Sequence, residues 1–339
     1  MNKEPIKLGS RTRLLSLDCL RAFAVILVII WHGPTKDNRV NSDITFLSNL
    51  NFWIGVDLFF VISGFLISNI FFKSIQSHKN LQLKRFYIRR AWKIYPTFYL
   101  SLFFFIYFDY LFLWLNLDSL EKILIEIFFL QNYFHSSLGV TWSLAFEEHF
   151  YILLPLIFYY SLDSKGNIMV KKFRNIVIFI IIFVILIRNL CLLYDIDRYY
   201  LYRMTHCRID SCFFGVLLAY MRIYHKYVID LASNLYILIP FGLFNIIIIQ
   251  SNDYQSPVMI TYGYASLSIF FTLLTNFILN CQFPSNILIY SFAKIGESSY
   301  IIYLWHIPIY YFMKNTLCLH FKFDGFGLTT PQFFCKLNQ

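Results

Sequence analysis

The chain has 339 residues, of which 58% are hydrophobic and only 14% charged, against about 25% charged residues in an ordinary soluble domain. That deficit, with apolar runs of roughly 18–22 residues recurring along the chain, excludes a soluble globular protein and marks an all-α polytopic membrane bundle. The net charge of +10 would suggest nucleic acid in a soluble chain; here the excess Lys and Arg belongs to cytoplasmic loops beside anionic membrane lipids, so no nucleic-acid partner is expected.

In chain order, spans are expected near 17–33, 52–72, 94–115, 143–161, 176–194, 207–222, 232–250, 258–279 and 296–317, nine in all and ten at most. The piece "ILIEIFFLQNYF" (123–134) is too short to cross and carries Glu126, so it is expected to be re-entrant or interfacial. The first run lacks a small-residue cleavage site and reads as a retained span. Residues 1–317 form one membrane domain, and 318–339 read as a polar tail. With the N-terminus inside, the cytoplasmic loops hold 18 Lys and Arg and the outer loops 7, which supports that orientation in a bacterial cytoplasmic membrane. Four arginines in the 188–208 connection break the rule and are expected to face acidic groups of a ligand.

The first span carries Asp18, Arg21 and His32. Eleven helical steps bring Arg21 and His32 to within about 20° of one face while holding them roughly 16 Å apart along the axis. They cannot touch, yet they can line one shaft. Asp57 in the second span is expected to face the bundle interior, and Ser63–Gly64 permits close helix approach. The stretch "KRFYIRRAWKIYP" gathers Arg85, Arg89, Arg90 and Lys93 among aromatic residues, a composition suited to gripping phosphate and stacking on a base. "TWSLAFEEHFY" places Trp142, Glu147, Glu148 and His149 where the chain re-enters the membrane. Arg208 and His306 lie in later apolar segments, His306 near mid-span. The seven cysteines are scattered, with no CxxC and no metal-like pairing with histidines; they read as reduced and structural, and no metal is expected.

Six segments, "LDCLRAFAVILVIIWH", "GVDLFFVISGFLIS", "RFYIRRAWKIYP", "TWSLAFEEHFY", "RIDSCFFGVLLA" and "SSYIIYLWHIP", together resemble the acyltransferase family 3 of integral membrane enzymes, in that family's order and over residues 16–310. The family's arginine–ten residues–histidine pattern falls on Arg21 and His32, its arginine motif on Arg89 and Arg90, and its tryptophan–serine–leucine–glutamate motif on Trp142, Ser143 and Glu147. Cys19 stands where glycine is usual and Lys93 where arginine is usual. Members commonly add a tenth helix closed by a glutamate–arginine or lysine–proline ending, which this tail lacks. The resemblance implies O-acyl transfer, with acetyl-CoA as donor on the cytoplasmic side and a hydroxyl of an extracytoplasmic polysaccharide or lipid-linked sugar as acceptor. Under that reading Arg21, Arg85, Arg89, Arg90 and Lys93 hold the donor; His32 is the base, oriented by Glu147 or Asp57; Trp142, Arg208 and His306 contact substrate; Ser63 or Trp142 serves the oxyanion. A transporter, a flippase or an inactive scaffold on the same fold is the different-class alternative, although no internal repeat supports a transporter.

Overall fold

The structure is a computed structural model that describes residues 11–33, 51–78, 81–112, 120–134, 138–283 and 286–310. The polar tail expected at 318–339 lies outside the described residues. The chain forms α1 (Arg11–His32), α2 (Gly55–His78), α3 (Leu83–Phe112), α4 (Leu120–Ile127), α5 (Trp142–Tyr160), α6 (Val170–Leu193), α7 (Arg198–Arg203), α8 (Thr205–Arg208), α9 (Asp210–Tyr224), α10 (Lys226–Ala232), α11 (Leu235–Ser251), α12 (Tyr264–Asn280), α13 (Ile287–Glu297) and α14 (299–310). Among the described residues the only β pairing is an isolated bridge between Leu162 and Ile168.

Every expected span is helical where it is described. By length and apolarity alone, though, only four stretches among the described residues are fit to cross a membrane: Leu15–His32, Phe52–Ser77, Val170–Leu193 and Met259–Asn280, with α10 and α11, bent by 57°, as a fifth. The others fall short for physical reasons. α5 carries Glu147, Glu148 and His149, which lower its apolarity, and α9 has only 15 residues. α4 has eight residues, about 12 Å of helix, and cannot span a hydrocarbon core of about 30 Å. Its Glu126 is buried and accepts a hydrogen bond from Thr141 Oγ1 at 2.8 Å, so the acid that barred this segment from lipid is a structural acceptor.

The centre of the bundle is the crossing of α2 and α9. A Cβ at Gly64 would fall on the Cys212 carbonyl, and one at Gly215 on the Val61 carbonyl, so the two helices meet backbone to backbone. Small residues at such crossings let van der Waals contact replace the hydrophobic drive that lipid does not supply. α13 repeats the device against α1, where Gly296 abuts the Asp18 carbonyl. Phenylalanines fill the space around the crossing: Phe60 stacks on Phe146 at 4.0 Å, and Phe71, Phe72, Phe158 and Phe173 form a contiguous group.

Backbone groups freed inside the bundle find partners. Pro155 cannot donate to the carbonyl of Tyr151, one turn earlier in α5, and the Tyr87 hydroxyl donates to that carbonyl at 3.2 Å. The π-helical stretch Met259–Gly263 opens the Ile260 carbonyl, to which Arg188 Nε donates at 2.7 Å.

Two of the arginines that break the loop-charge rule are fully buried. Arg188 pairs with Asp210 at 3.0 Å, and Arg208 pairs with Asp57 while its guanidinium lies 3.5 Å from the Tyr264 ring. These cations are cancelled inside the protein, so they exert no pull on topology. The Asp57–Arg208 bond joins α2 to the residues just before α9. Arg208→Leu alone would strand a buried carboxylate and should destabilise the protein by roughly 3–5 kcal/mol, whereas Asp57→Leu/Arg208→Leu together should recover most of that loss. Thermal unfolding of the purified variants checks it; equal loss in the single and double variants would contradict the pairing.

Candidate functional site

The face of α2 that carries Val56, Phe60, Ser63, Ile67, Ile70, Ser74 and Ser77 repeats every three or four residues and forms one wall of an elongated cavity. Along this wall the lining changes from apolar to polar, and Ser63 to Ser77 alone covers about 21 Å of helix. α3 contributes Arg85, Arg89, Arg90 and Lys93 at the same spacing, and α5 contributes Ser143, Glu147, Glu148 and Tyr151. Tyr300 and Tyr303 of α14 and Arg21 of α1 complete an enclosure of about 580 Å³.

Its charge is lopsided. Arg21, Lys73, Arg85, Arg89, Arg90 and Lys93 face Glu147 and Glu148, six cations against two carboxylates. Both acids bear on one cation. Arg90 lies 3.4 Å from Glu147, 4.0 Å from Glu148, and 3.1 Å from the Tyr151 ring centroid. Glu147 also accepts hydrogen bonds from Tyr151 and, at 2.8 Å, from Ser63; Glu148 accepts one from Tyr95 at 3.1 Å. Arg21 is 3.6 Å from Asp18, one turn earlier. The cavity is therefore shaped for an elongated ligand that is anionic at the Arg85 end and slender and apolar beyond Ser63.

Past the inner end lies a pair of imidazoles. Tyr303 hydrogen-bonds Ser143 at 2.6 Å and donates to the Val140 carbonyl at 2.7 Å; its ring is 5.6 Å from that of His306, three residues on in α14. The His306 ring is 5.1 Å from His32. Each histidine places Nδ1 on a backbone carbonyl, Val28 at 3.0 Å for His32 and Tyr303 at 2.6 Å for His306. A carbonyl only accepts, so Nδ1 carries the hydrogen in both rings and Nε2 carries the lone pair. His306 Nε2 is buried with no hydrogen-bond partner among the described residues.

The sequence-derived candidates thus separate into groups. Arg21, Arg85, Arg89, Arg90, Lys93 and Glu147 line one cavity, and His32 and His306 meet beyond it. Neither carboxylate expected to orient His32 does so: Asp57 is bonded to Arg208, and Glu147 to Arg90, Ser63 and Tyr151. Arg208 lies outside the cavity wall. Trp142 is buried among rings, 4.8 Å from Tyr202 and 5.9 Å from Phe60. Ser63 donates to Glu147, which leaves its hydroxyl hydrogen committed. Sequence reading passed over Lys73, Tyr151 and Tyr303; Tyr151 was accessible, since Ser143, Glu147 and Tyr151 recur at four-residue intervals. It also passed over a convergence of Cys191, His206 and Cys207, whose ligand atoms lie within 4.8 Å of one another.

An all-helical membrane bundle enclosing a cation-rimmed cavity is the architecture in question, and comparison of the sequence with known proteins narrows it. Residues 14–336 match the acyltransferase domain family, so the chain belongs to acyltransferase family 3. It is similar to the peptidoglycan O-acetyltransferase OatA of Listeria monocytogenes, 30% identical over 330 residues that cover 88% of this chain and 50% of that protein. It is also similar to the O-acetyltransferase OatA of Staphylococcus aureus, 26% identical over 333 residues that cover 91% and 52%. The chain spans about half the length of these curated relatives. No solved structure matches it significantly.

The tautomers are directly measurable. In nanodiscs containing ¹⁵N-histidine-labelled protein, assigned by single substitution, His306 should show a protonated Nδ1 and a bare Nε2 at neutral pH. A protonated Nε2 would mean that the Tyr303 carbonyl does not hold the ring as described.

Proposed function

We propose that the chain is an integral membrane O-acyltransferase that moves an acetyl group from acetyl-CoA to a hydroxyl of an extracytoplasmic polysaccharide or lipid-linked sugar. Family membership supports acyl transfer, and the names of its relatives favour a glycan acceptor such as peptidoglycan. The single observation that carries the choice of donor is the cavity itself: cations at the Arg85 end, an apolar passage narrowed by Arg90, then the Ser143 and Tyr303 hydroxyls at the other end, with the two imidazoles beyond it. Loop charge supports a reading in which the Arg85 end faces the cytoplasm, with the donor, and the imidazole end faces the outside, with the acceptor.

The residues fit that donor. Arg85, Arg89, Lys93, Lys73 and Arg21 can meet its phosphates by charge-assisted hydrogen bonds. Arg90 has a different duty: with Glu147, Glu148 and Tyr151 around it, it is fixed in place and narrows the passage. The thin thioester arm suits the stretch between Ser63 and Tyr303.

His32 Nε2 is the base. It takes the proton of the acceptor hydroxyl as that oxygen bonds to the acyl carbon and the carbon–sulfur bond breaks; the imidazolium then returns the proton to the departing thiolate. His306, one ring away, supports the transient cation by sharing its field with a second lone pair. In this arrangement Glu147 and Asp57 are positioning residues: each holds an arginine, and neither touches the imidazole.

Radiolabel transfer from acetyl-CoA to glycan in membranes or nanodiscs tests the reading. His32→Ala should lower transfer by about 10²–10⁴-fold, the usual worth of a general base, with normal expression. Arg89→Ala should act on the donor KM, raising it roughly 10-fold or more, because a hydrogen bond to a charged group contributes about 1.5–3 kcal/mol. Full activity in His32→Ala would remove the imidazole from the mechanism, and absence of transfer by the parent chain in the presence of every glycan offered would remove the donor assignment.

A further inference from the structure

We infer that Cys191, His206 and Cys207 form a binding site for one soft divalent cation, with Zn(II) the best match to their chemistry. The three ligand atoms lie within 4.8 Å of one another, at the last turn of α6 and in α8. Two thiols and an imidazole are the donor set of a tetrahedral zinc site with one open position. The absence of any oxygen ligand from the set argues against calcium and magnesium.

The convergence is built by the fold. Arg188 and Cys191 lie three residues apart, hence on one face of α6. Arg188 donates to the Cys207 carbonyl at 2.9 Å, and is itself anchored by Asp210 at 3.0 Å and by the Ile260 carbonyl at 2.7 Å. The arginine that draws Cys207 onto α6 therefore also draws it toward Cys191. Between them the chain reverses at Asp195, in the left-handed region with φ 53°, and Ile196 N donates back to the Cys191 carbonyl at 3.1 Å. The third donor is steered from another segment: the Tyr133 ring stacks on His206, 5.7 Å between centroids and 17° between planes, and its hydroxyl hydrogen-bonds Nδ1 at 3.2 Å. An outer hydrogen bond of that kind is what orients a metal-ligating histidine. His206 is exposed while Cys207 is buried, so the cation has a way in and an ordered seat.

Both cysteines carry free thiols in this arrangement, so binding needs only their deprotonation. An occupied site would clip the end of α6 to the segment that carries Thr205, whose hydroxyl meets His149 at 2.8 Å and Asn132. The role is structural and stands apart from the acyl-transfer reading, since a catalytically dead chain would still bind the ion.

The test uses the full chain in detergent, reduced and stripped with chelator. Zn(II) competition against a chromophoric chelator should give one ion per chain, and Co(II) should produce a thiolate-to-cobalt charge-transfer absorption. His206→Ala, at an exposed position where folding is least at risk, should weaken Zn(II) binding by at least ~10-fold, the loss that even outer-sphere changes bring to such sites. Cys191→Ser should diminish the cobalt absorption, and Cys281→Ser should leave both readouts unchanged. The proposal is overturned if Co(II) gives no charge-transfer band, if His206→Ala leaves Zn(II) affinity intact, or if alkylation mapping without reductant finds Cys191 and Cys207 joined as a disulfide.

Discussion

Close approach of two backbones, α2 on α9, is the constraint from which the other arrangements follow. With Gly64 against the Cys212 carbonyl and Gly215 against the Val61 carbonyl, α2 cannot rotate or slide without driving a backbone into a backbone. That pins which residues of α2 face α9 and which face away. The residues facing away, Ser63 among them, become the cavity wall. The Asp57–Arg208 pair acts on the same two segments, one turn and more from Gly64, and resists separation of what the glycines bring together. Packing supplies the contact and the ion pair supplies its register.

Because α2 is held on one side, the cavity needs walls only on the other, and α3, α5 and α14 provide them from different parts of the chain. The polarity gradient along it follows from ordinary membrane logic. α2 and α3 are joined by a short connection whose flanks carry Lys73, Lys84, Arg85, Arg89, Arg90 and Lys93. In most membrane proteins such a cluster merely marks the cytoplasmic side. Here the helical spacing also turns several of these cations onto the cavity wall, which gives the cavity an anion-attracting end.

Much of this was legible in the sequence. The helical bundle followed from apolar runs, four or five of which are candidate spans among the described residues; the shortness of the helix in the 123–134 piece followed from its length; and the common face of Arg21 and His32 on α1 followed from helical periodicity. Periodicity gives a residue's azimuth on its own helix, though, and says nothing of the partner across the gap. Asp57 was expected inside, and it is inside, but its partner lies 151 residues away. His32 was expected to meet a carboxylate and instead meets His306, whose helix is 274 residues downstream. The cysteines show the same limit. Cys191 and Cys207 are too far apart in the chain to read as a ligand pair, and only the turn at Asp195 and the reach of Arg188 bring them together. The expected spans beyond those four or five are nonetheless largely helical where they are described.

The pairing of histidine with histidine has an electrostatic rationale. A carboxylate placed against His32 would carry a full charge into a region of low dielectric and would need a cation of its own. Three interior carboxylates are used on arginines instead: Asp57 on Arg208, Asp210 on Arg188, Glu147 on Arg90. The His32–His306 end is held without a carboxylate, with both Nδ1 hydrogens spent on carbonyls. Two neutral imidazoles side by side need no buried counter-ion. That is the cheaper arrangement inside a membrane, and it frees the carboxylates to fix the cations that shape the cavity.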